Sequence, residues 1–140
     1  MTPIIEFSPG LHSAGQPTPG QLDALAAAGV RTVINLRAPN EPVEFDEARH
    51  ARSLGLAYVQ IPVAGADDLT RDKARQLSTA LATAEPLGGT LIHCASGNRV
   101  GALLALVAAW ERQASPTEAM RLGEAAGMTT LRPAVTALLA

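Results

Sequence analysis

Short, uninterrupted apolar runs alternate along the chain with longer segments in which hydrophobic residues recur at helical spacing. Three such runs predict β-strands at residues 30–36, 56–63 and 90–93, because a strand covered on both faces of a parallel sheet is apolar throughout. Gly29 and Gly55 stand directly before two of these runs and end the preceding helical patterns. The alternation therefore predicts short buried strands separated by helices.

The segments between the strands carry helix signals. Thr18 and Gln21 form a capping-box pattern around Pro19, which predicts a helix that reaches residue 28. Leu77 and Leu81 stand four positions apart, as they would on one face of a helix. The predicted helices lie at 18–28, 42–54, 70–84 and 100–110, from Ser115 to near Gly127, and after Pro133.

Strands that alternate with helices predict an α/β fold with a central, mostly parallel sheet and helices on both faces. Ligands of such sheets bind beyond the carboxyl ends of the strands. The run at 90–93 leads directly into Cys94, so we expect the functional site there. No linker, repeat or low-complexity tract interrupts the pattern, which predicts a single domain over residues 1–140.

Composition narrows the class of protein. The hydrophobic fraction of 47% fits a globular domain, and the net charge of −2 gives no support for binding to nucleic acid or to an anionic membrane. A single cysteine cannot form an internal disulfide, and residues 1–11 lack a signal-peptide pattern, so we predict a cytoplasmic protein. No His, Cys and carboxylate residues stand at ligand spacing, so neither a metal nor another cofactor is expected.

The most informative segment is 91–100, which reads Leu-Ile-His-Cys-Ala-Ser-Gly-Asn-Arg-Val. A short strand ends at Cys94, and small polar residues with a central glycine separate it from a helical pattern. At such a turn the backbone amides and the positive end of the helix dipole point into one space. That environment stabilises a thiolate, so we predict that Cys94 is a nucleophile at neutral pH.

The residues that follow Cys94 are predicted to hold an anion. Arg99 offers a planar guanidinium that matches two oxygens of a phosphate and would stabilise charge in the transition state. Gly97 is expected to adopt a backbone angle that other residues resist. The predicted phosphate-binding residues are Ala95, Ser96, Gly97, Asn98 and Arg99.

This loop resembles those of two families. The His-Cys pair, the glycine and the arginine resemble the phosphate loop of cysteine-dependent tyrosine and dual-specificity phosphatases, most of which place five residues between cysteine and arginine. Cys94 and Arg99 enclose four residues, a spacing similar to the active-site loop of rhodanese sulfurtransferases. If the chain is a phosphatase, we expect the shorter loop to be tighter and Arg99 still to reach the anion.

The rest of the chain resembles the phosphatases. The segments Ser-Ala-Gly-Gln-Pro at 13–17, Val-Ile-Asn-Leu-Arg at 33–37 and Gly-Leu-Ala-Tyr-Val-Gln-Ile-Pro-Val at 55–63 follow a dual-specificity-phosphatase-like order. Together with the loop that ends in Asn98 and Arg99, they resemble the small bacterial beta-lactamase-hydrolase-like phosphatase family. The Asp-x-Arg and Gly-His-Ile-Pro-Gly stretches expected of a rhodanese are absent.

The resemblance implies a fold of the cysteine-dependent protein tyrosine phosphatase type. It also implies hydrolysis of phosphomonoesters, either phosphotyrosine-like or small aryl phosphates, through a phosphocysteine intermediate. The partner is then a phosphorylated protein or a small phosphate ester, without nucleic acid or membrane. In these families the histidine that matches His93 supports the loop from behind. Many of them carry Ser or Thr where this chain has Val100, so slow turnover is expected.

The phosphatase families also use an aspartate to protonate the leaving oxygen. Asp67 and Asp68 follow the predicted strand at 56–63, and either is a candidate for this general acid. Both could instead only cap or charge the helix that starts near Thr70. The choice between the two aspartates, and between the two roles, stays open at the level of sequence.

Two alternative functions also stay open. A rhodanese-like sulfurtransferase would carry a persulfide on Cys94. A phosphate-binding module with little or no turnover would follow if the early arginine and Val100 prevent catalysis. Arg37, Arg49 and Arg52 are predicted to be surface charges on helices rather than substrate ligands.

Overall fold

The computed structural model describes all 140 residues. Its strands are β1 (Ile4–Ser8), β2 (Leu11–Ala14), β3 (Val30–Asn35), β4 (Ala57–Gln60) and β5 (Gly89–His93). Its α-helices are α1 (Pro19–Ala27), α2 (Glu47–Ser53), α3 (Arg71–Ala84), α4 (Asn98–Leu106), α5 (Pro116–Ala125) and α6 (Arg132–Leu139). None of these helices is both long enough and apolar enough to cross a lipid bilayer.

The five strands form one sheet in the order β1-β2-β5-β3-β4. β5 pairs in parallel with β2 and with β3, β3 pairs in parallel with β4, and only β1 runs antiparallel to its neighbour. The carboxyl ends of the four parallel strands therefore share one edge of the sheet. Cys94 lies at the middle of that edge because β5 is the central strand.

Helices cover both faces of the sheet, as predicted. Neighbouring residues of β3 point to opposite faces. Val33 joins a small core with Leu22 beneath α1 and α2, whereas Ile34 joins the larger core with Leu77 and Leu103 beneath the remaining helices. This arrangement confirms the predicted α/β class.

The amino-terminal hairpin of β1 and β2 was not predicted. A turn at Gly10, with a left-handed φ of +75°, joins the two strands. Most residues of β1 are exposed or only partly buried, so no continuous apolar run marks it in the sequence. The hairpin matters for the site because the end of β2 lies beside Cys94.

The helix predicted over 42–54 begins later than expected. The Asp46 side chain accepts a hydrogen bond from the Arg49 amide at 3.1 Å and caps α2, whose first residue is Glu47. Residues 38–46 instead form an irregular segment, here called the strap. The strap is held in a non-helical path by hydrogen bonds that include one from Arg37 Nη2, just before it, to the Pro42 carbonyl oxygen at 2.7 Å.

The remaining predicted elements are present with shifted ends. The strand predicted at 56–63 is regular only over β4, although the amides of Ile61 and Val63 still donate to carbonyls at the end of β3 and just beyond it. The helix predicted at 100–110 starts earlier, at Asn98, and its last turn over Val107–Glu111 is π-helical. The early start follows from Gly97, which caps α4.

Candidate active site

The loop of residues 94–99, here called the Cys94 loop, joins β5 to α4. Gly97 caps the helix in a left-handed conformation with φ +92°, which glycine adopts without steric penalty. This turn directs the Gly97 amide back to the Cys94 side chain, and it donates to Sγ at 3.1 Å. Cys94 itself has no exposed surface, whereas Ala95 and Ser96 are open to solvent.

The end of β2 holds the Cys94 loop in place. The Cys94 amide donates to the Ala14 carbonyl at 3.2 Å, and the Gln16 amide donates to the Ala95 carbonyl at 3.2 Å. Gly15 lies so close to the Ala95 carbonyl that a side chain at this position would overlap it. The unpredicted hairpin therefore forms one wall of the site.

Asn98 fixes the other side of the loop. Its side-chain oxygen accepts hydrogen bonds from the amides of Thr129 and Leu131 at 2.8 and 3.2 Å, and its Nδ2 donates to the Thr130 hydroxyl at 2.7 Å. The side chain thus binds the segment between α5 and α6. The backbone amide of Asn98 and the second hydrogen of its Nδ2 group are left to donate to an anion.

Arg99 is held by three hydrogen bonds. Its Nη1 donates to Glu41 Oε2 at 2.7 Å and to the Val63 carbonyl at 2.8 Å, and its Nη2 donates to Glu41 Oε1 at 2.8 Å. A guanidinium has five N–H groups. The Nε–H and one Nη2–H are therefore left free, and together they form a side-on edge that suits two oxygens of a tetrahedral anion.

Charge around Arg99 is balanced by Glu41. The hydrogen bonds from Arg99 lower the pKa of Glu41 to about 2, although partial burial acts in the opposite direction. The hydrogen bond to Glu41 raises the pKa of Arg99, and the neighbouring Cys94 side chain acts in the same direction. Both partners are therefore ionised at neutral pH, which excludes Glu41 as a proton donor in this arrangement.

Arg37 is not the surface helix charge that was predicted. It follows β3, is 8% exposed, and its Nε donates to Glu41 Oε1 at 3.3 Å. It also donates to the side chain of Gln16. A buried guanidinium needs hydrogen-bond acceptors for its N–H groups. Glu41 accepts from both arginines and therefore connects Arg37 to Arg99. Arg49 and Arg52 are exposed on α2, as predicted.

Below the Cys94 loop, His93 is fully buried and paired with Glu47. Its Nε2 lies 2.5 Å from Glu47 Oε2, and its Nδ1 lies 3.2 Å from the Cys94 carbonyl oxygen. Burial favours the neutral form of Glu47, but the hydrogen bond and electrostatic attraction of His93, together with the hydrogen bonds from Gln16 and Tyr58, hold the pKa of Glu47 below its ordinary value. Burial raises the pKa of Tyr58, which donates to the same carboxylate at 2.8 Å.

Asp67 and Asp68 lie in a short 3-10 turn over Ala66–Asp68. Asp67 is exposed, and Asp68 accepts a hydrogen bond from the Ala64 amide at 2.8 Å. Neither caps α3, because the Thr70 side chain performs that role by accepting from the Lys73 amide at 3.2 Å. The structure does not bring either aspartate into direct hydrogen-bond contact with the Cys94 loop.

Two open cavities flank the Cys94 loop. One, of about 450 Å³, lies beside Arg99 and the 64–65 turn; it is lined by Ala38, Asn40, Glu41, Ala64, Gly65, Asn98, Arg99 and Leu131. The other, of about 670 Å³, reaches the loop at Ala95 and is here called the apolar cleft. It is lined by Met1, Thr2, Gln16, Pro17, Thr18, Pro19, Pro42, Val43, Glu44, Phe45 and Ala95.

Sequence reasoning missed Glu41 and Glu47, which make the main charged contacts of the site. Both stand among other charged and polar residues between β3 and β4, where nothing in the local pattern separates them from surface residues. The only available signal was that Glu41 lies four positions after Arg37 and Glu47 lies in the first turn of α2. No group of three or more His, Cys, Asp or Glu side chains is placed to hold a metal ion.

The central strand of a mostly parallel sheet ends at a buried cysteine, and an arginine lies at the amino terminus of the helix that follows. This arrangement defines the class of cysteine-dependent tyrosine phosphatase folds. Residues 5–111 match the family described as beta-lactamase hydrolase-like protein, phosphatase-like domain. The chain belongs to this family.

Relatives and solved structures agree with this assignment. A beta-lactamase hydrolase-like protein of Xylella fastidiosa (strain Temecula1) is 36% identical over 89% of this chain, and one of Agrobacterium fabrum is 31% identical over 73% of it. The aligned parts cover only 29% and 24% of those relatives. The chain therefore corresponds to about a quarter of proteins that contain further sequence.

Among solved structures, a candidate phosphatase from Shewanella putrefaciens CN-32 is 25% identical, with a TM-score of 0.75 over 97% of this chain and 85% of that one. The TpbA protein of P. aeruginosa, crystallised in complex with phosphotyrosine, superposes with a TM-score of 0.72 at 19% identity, over 93% of this chain and 78% of its own. The fold is therefore that of the tyrosine phosphatases, as predicted.

Proposed function

We propose that this chain is a cysteine-dependent phosphatase that hydrolyses phosphomonoesters through a phosphocysteine intermediate. The observation that carries the proposal is the position of Cys94. Its Sγ lies at the amino terminus of α4, accepts a hydrogen bond from the Gly97 amide at 3.1 Å, and has the free edge of Arg99 nearby. These groups favour a thiolate and a bound oxyanion in the same place.

In the proposed reaction, the Cys94 thiolate attacks phosphorus in line with the ester oxygen. The S–P bond forms as the P–O bond to the leaving group breaks, and a general acid supplies the proton that this oxygen needs. The loop amides and the Nε/Nη2 edge of Arg99 hold the other phosphate oxygens. A water molecule then attacks phosphorus, the S–P bond breaks, and inorganic phosphate and the thiolate are released.

We also propose that Asp67 or Asp68 is the general acid. The 64–65 turn lies across the cavity from Arg99, and both aspartates follow it directly. Asp67 has the greater freedom to reach a substrate, because it is exposed while Asp68 is bound to the Ala64 amide. A bound phosphate ester would have to bring the acid within hydrogen-bond reach of its leaving oxygen.

The apolar cleft supports a substrate with a single phosphate on an apolar or aromatic body. Pro17, Val43 and Phe45 offer apolar surface that begins where the Cys94 loop is open to solvent, and Glu44 is the only charged side chain of the cleft. A second phosphate in the cleft would meet no basic side chain. We therefore propose phosphotyrosine-like or small aryl phosphates, in a protein or free, and a cytoplasmic location.

The central test is Cys94→Ser. We expect the variant to lose turnover of p-nitrophenyl phosphate by at least about 10³-fold while keeping the native fold and measurable affinity for phosphate or sulfate, because serine retains the loop but is not ionised at neutral pH. Activity would be assayed beside circular dichroism and anion titration.

A thiosulfate-to-cyanide sulfur-transfer assay on the wild-type protein separates the alternatives. Sulfur transfer without phosphate hydrolysis would contradict the phosphatase proposal and show that the chain is a sulfurtransferase. Anion binding without either activity would contradict the phosphatase proposal and show that the chain is a phosphate-binding module.

A further inference from the structure

A third cavity lies between the edge strand β4 and helix α3 and is here called the α3 groove. Its volume of about 480 Å³ falls within the range of small-molecule sites, about 300–1,000 Å³. Its apolar surface is formed by Ala57, Val59, Ile61, Ala80, Ala84 and Leu87. None of the residues that line it lines either cavity beside the Cys94 loop, so the groove is separate from the candidate active site.

One buried hydroxyl group at the groove has no partner in the protein. Neighbouring residues of β3 point to opposite faces, and Ile34 belongs to the larger core, so Thr32 points to the same face of the sheet as α3. Thr32 is the only residue of β3 that lines the groove; it is 2% exposed, and its Oγ1 makes no hydrogen bond. Burial of an unpaired hydroxyl is unfavourable, and valine would fill the same space without this penalty. The groove therefore presents a hydrogen-bonding group that nothing in the chain uses.

A free positive charge lies toward the other end of the groove. Since α3 connects the end of β4 to the start of β5, its first turns lie toward the carboxyl edge of the sheet. Arg75 is exposed and makes no hydrogen bond or ion pair, whereas the nearby Asp72 carboxylate accepts from Gln76 Nε2 at 2.8 Å. Thr32 pairs with Ala57 at the start of β4, toward the amino edge. The cation and the buried hydroxyl are therefore separated along the groove.

From Arg75 to Ala84, α3 extends about 13 Å, at a rise of about 1.5 Å per residue. We propose that the α3 groove binds an elongated, apolar carboxylic acid that carries a hydroxyl group at the end remote from its carboxylate. The carboxylate binds the Arg75 guanidinium, which complements it in charge and shape. The ligand hydroxyl forms a hydrogen bond with Thr32 Oγ1, which can donate or accept, and the apolar body packs against Val59 and Ala80. This site does not depend on the proposed function, because it uses no residue of the Cys94 loop.

The probe for this site is 3-(4-hydroxyphenyl)propionate, which carries a carboxylate and a hydroxyl at opposite ends of an apolar body. The full chain is titrated with it in saturating inorganic phosphate, which competes for the Cys94 loop, and the titration is followed by ¹H–¹⁵N NMR. For a ligand of this size we expect a Kd of about 1 mM or tighter. The backbone amides of Val59, Ala80 and Ala84 should shift, and those of residues 94–99 should not.

Two analogues of the probe separate its two polar contacts. 3-Phenylpropionate lacks the hydroxyl and is expected to bind about fivefold more weakly, because one hydrogen bond is lost. 3-(4-Hydroxyphenyl)propanamide lacks the charge and is expected to bind about threefold more weakly, because an exposed ion pair contributes less.

The matching protein variants test the same contacts from the other side. Thr32→Val keeps the shape of the side chain and should melt no lower than wild type. It should weaken binding of the hydroxylated acid about fivefold and leave 3-phenylpropionate unchanged. Arg75→Gln should weaken both acids about threefold and leave the amide unchanged. Lys73→Gln, on the same helix but outside the groove, is the control and should change none of these affinities.

Shifts confined to residues 94–99, or no shift of the groove amides at about 10 mM probe, would overturn the proposal. A preference for the hydroxylated acid that survives in Thr32→Val would also overturn it. If Thr32→Val does not fold, the three probes on wild type and on Arg75→Gln still decide, and equal affinities for all three would reject the site. Since the titration needs no turnover, a protein that binds the probe as expected but hydrolyses no phosphate ester would refute only the proposed function.

Discussion

At the scale of single residues, the site depends on how one guanidinium divides its donors. Glu41 and the Val63 carbonyl take three of the five N–H groups of Arg99. The side chain is thereby fixed without losing its side-on edge. Under the proposed function, this division would let an arginine separated from Cys94 by four residues, rather than five, present that edge to the bound oxyanion.

The Arg99→Lys variant tests this division. Lysine keeps the positive charge but cannot donate hydrogen bonds to Glu41, to the Val63 carbonyl and to two anion oxygens at once. We therefore expect turnover to fall by about 10²-fold or more and the affinity for phosphate to weaken as well. Steady-state kinetics and isothermal titration with phosphate or sulfate provide the measurements. Arg49→Lys, on the exposed face of α2, is the matched control and should change neither value.

The candidate general acids give a second prediction at this scale. We expect one of the two variants, Asp67→Asn or Asp68→Asn, to remove the acid. That variant should lower the hydrolysis rate of an alkyl phosphate at least about tenfold more than the rate of p-nitrophenyl phosphate, whose leaving group needs little protonation. Asparagine at 68 can still accept from the Ala64 amide, so the turn should survive the change. Asp72→Asn in α3 is the control. An unchanged leaving-group dependence in both variants and in the double variant would place the acid elsewhere.

At the scale of elements, the crossing of α4 and α5 positions the Cys94 loop from behind. Gly101 in α4 and Gly123 in α5 bring the two backbones together, and a methyl group at Gly101 would overlap the Gly123 carbonyl and the Met128 amide. The segment after α5 then receives the bonds of Asn98. The amino terminus of α4 can therefore not move independently of the following helices.

The Gly101→Ala variant should be destabilised by about 1–3 kcal/mol or more, because backbone atoms have to move apart to admit the methyl group. Thermal and urea denaturation measure the change. Gly20→Ala in the first turn of α1, where no heavy atom other than the Thr18 hydroxyl lies within 4 Å, is the control. It should be neutral or stabilise by up to about 1 kcal/mol, since alanine is the better helix former. Equal losses in the two variants would contradict this view of the helix crossing.

At the scale of the whole molecule, two ionised glutamates connect the segment between β3 and β4 to the central strand. Glu41 binds Arg99 across a separation of 58 residues, and Glu47 binds His93 across 46. The pKa of both carboxyl groups lies below the ordinary value in the folded chain. The folded state therefore binds fewer protons than the unfolded state as the pH falls, and acid favours unfolding.

We accordingly expect the free energy of unfolding to be maximal above about pH 5 and to fall as the pH drops from 4.5 to about 2, the range set by the lowered pKa of Glu41. Glu41→Gln should be less stable than wild type at pH 7, and the difference should shrink toward pH 2 because the unfolded wild-type chain gains a proton at Glu41 that the folded chain does not. Urea denaturation at several pH values measures both. Glu111→Gln should follow the wild-type curve, and a constant difference between Glu41→Gln and wild type would contradict the linkage.

The sequence by itself determined the elements whose signals are local. Apolar runs marked β3, β4 and β5, capping residues such as Thr18 and Ser115 marked the starts of helices, and Gly97 after Cys94 marked the turn into α4. These features depend on side chains a few positions apart. The resemblance of the loop and of the segments around it then pointed to the phosphatase class, which the family match and the fold confirm.

Only the tertiary structure decided which charges serve the site. Glu41, Glu47 and Arg37 resemble surface residues in the sequence, and the partly exposed strand β1 of the amino-terminal hairpin carries no continuous apolar pattern. Their contacts exist because the sheet order places β5 between β2 and β3, so that residues distant in the chain meet at one carboxyl edge. Strand order depends on the packing of all the helices at once, which no local pattern encodes.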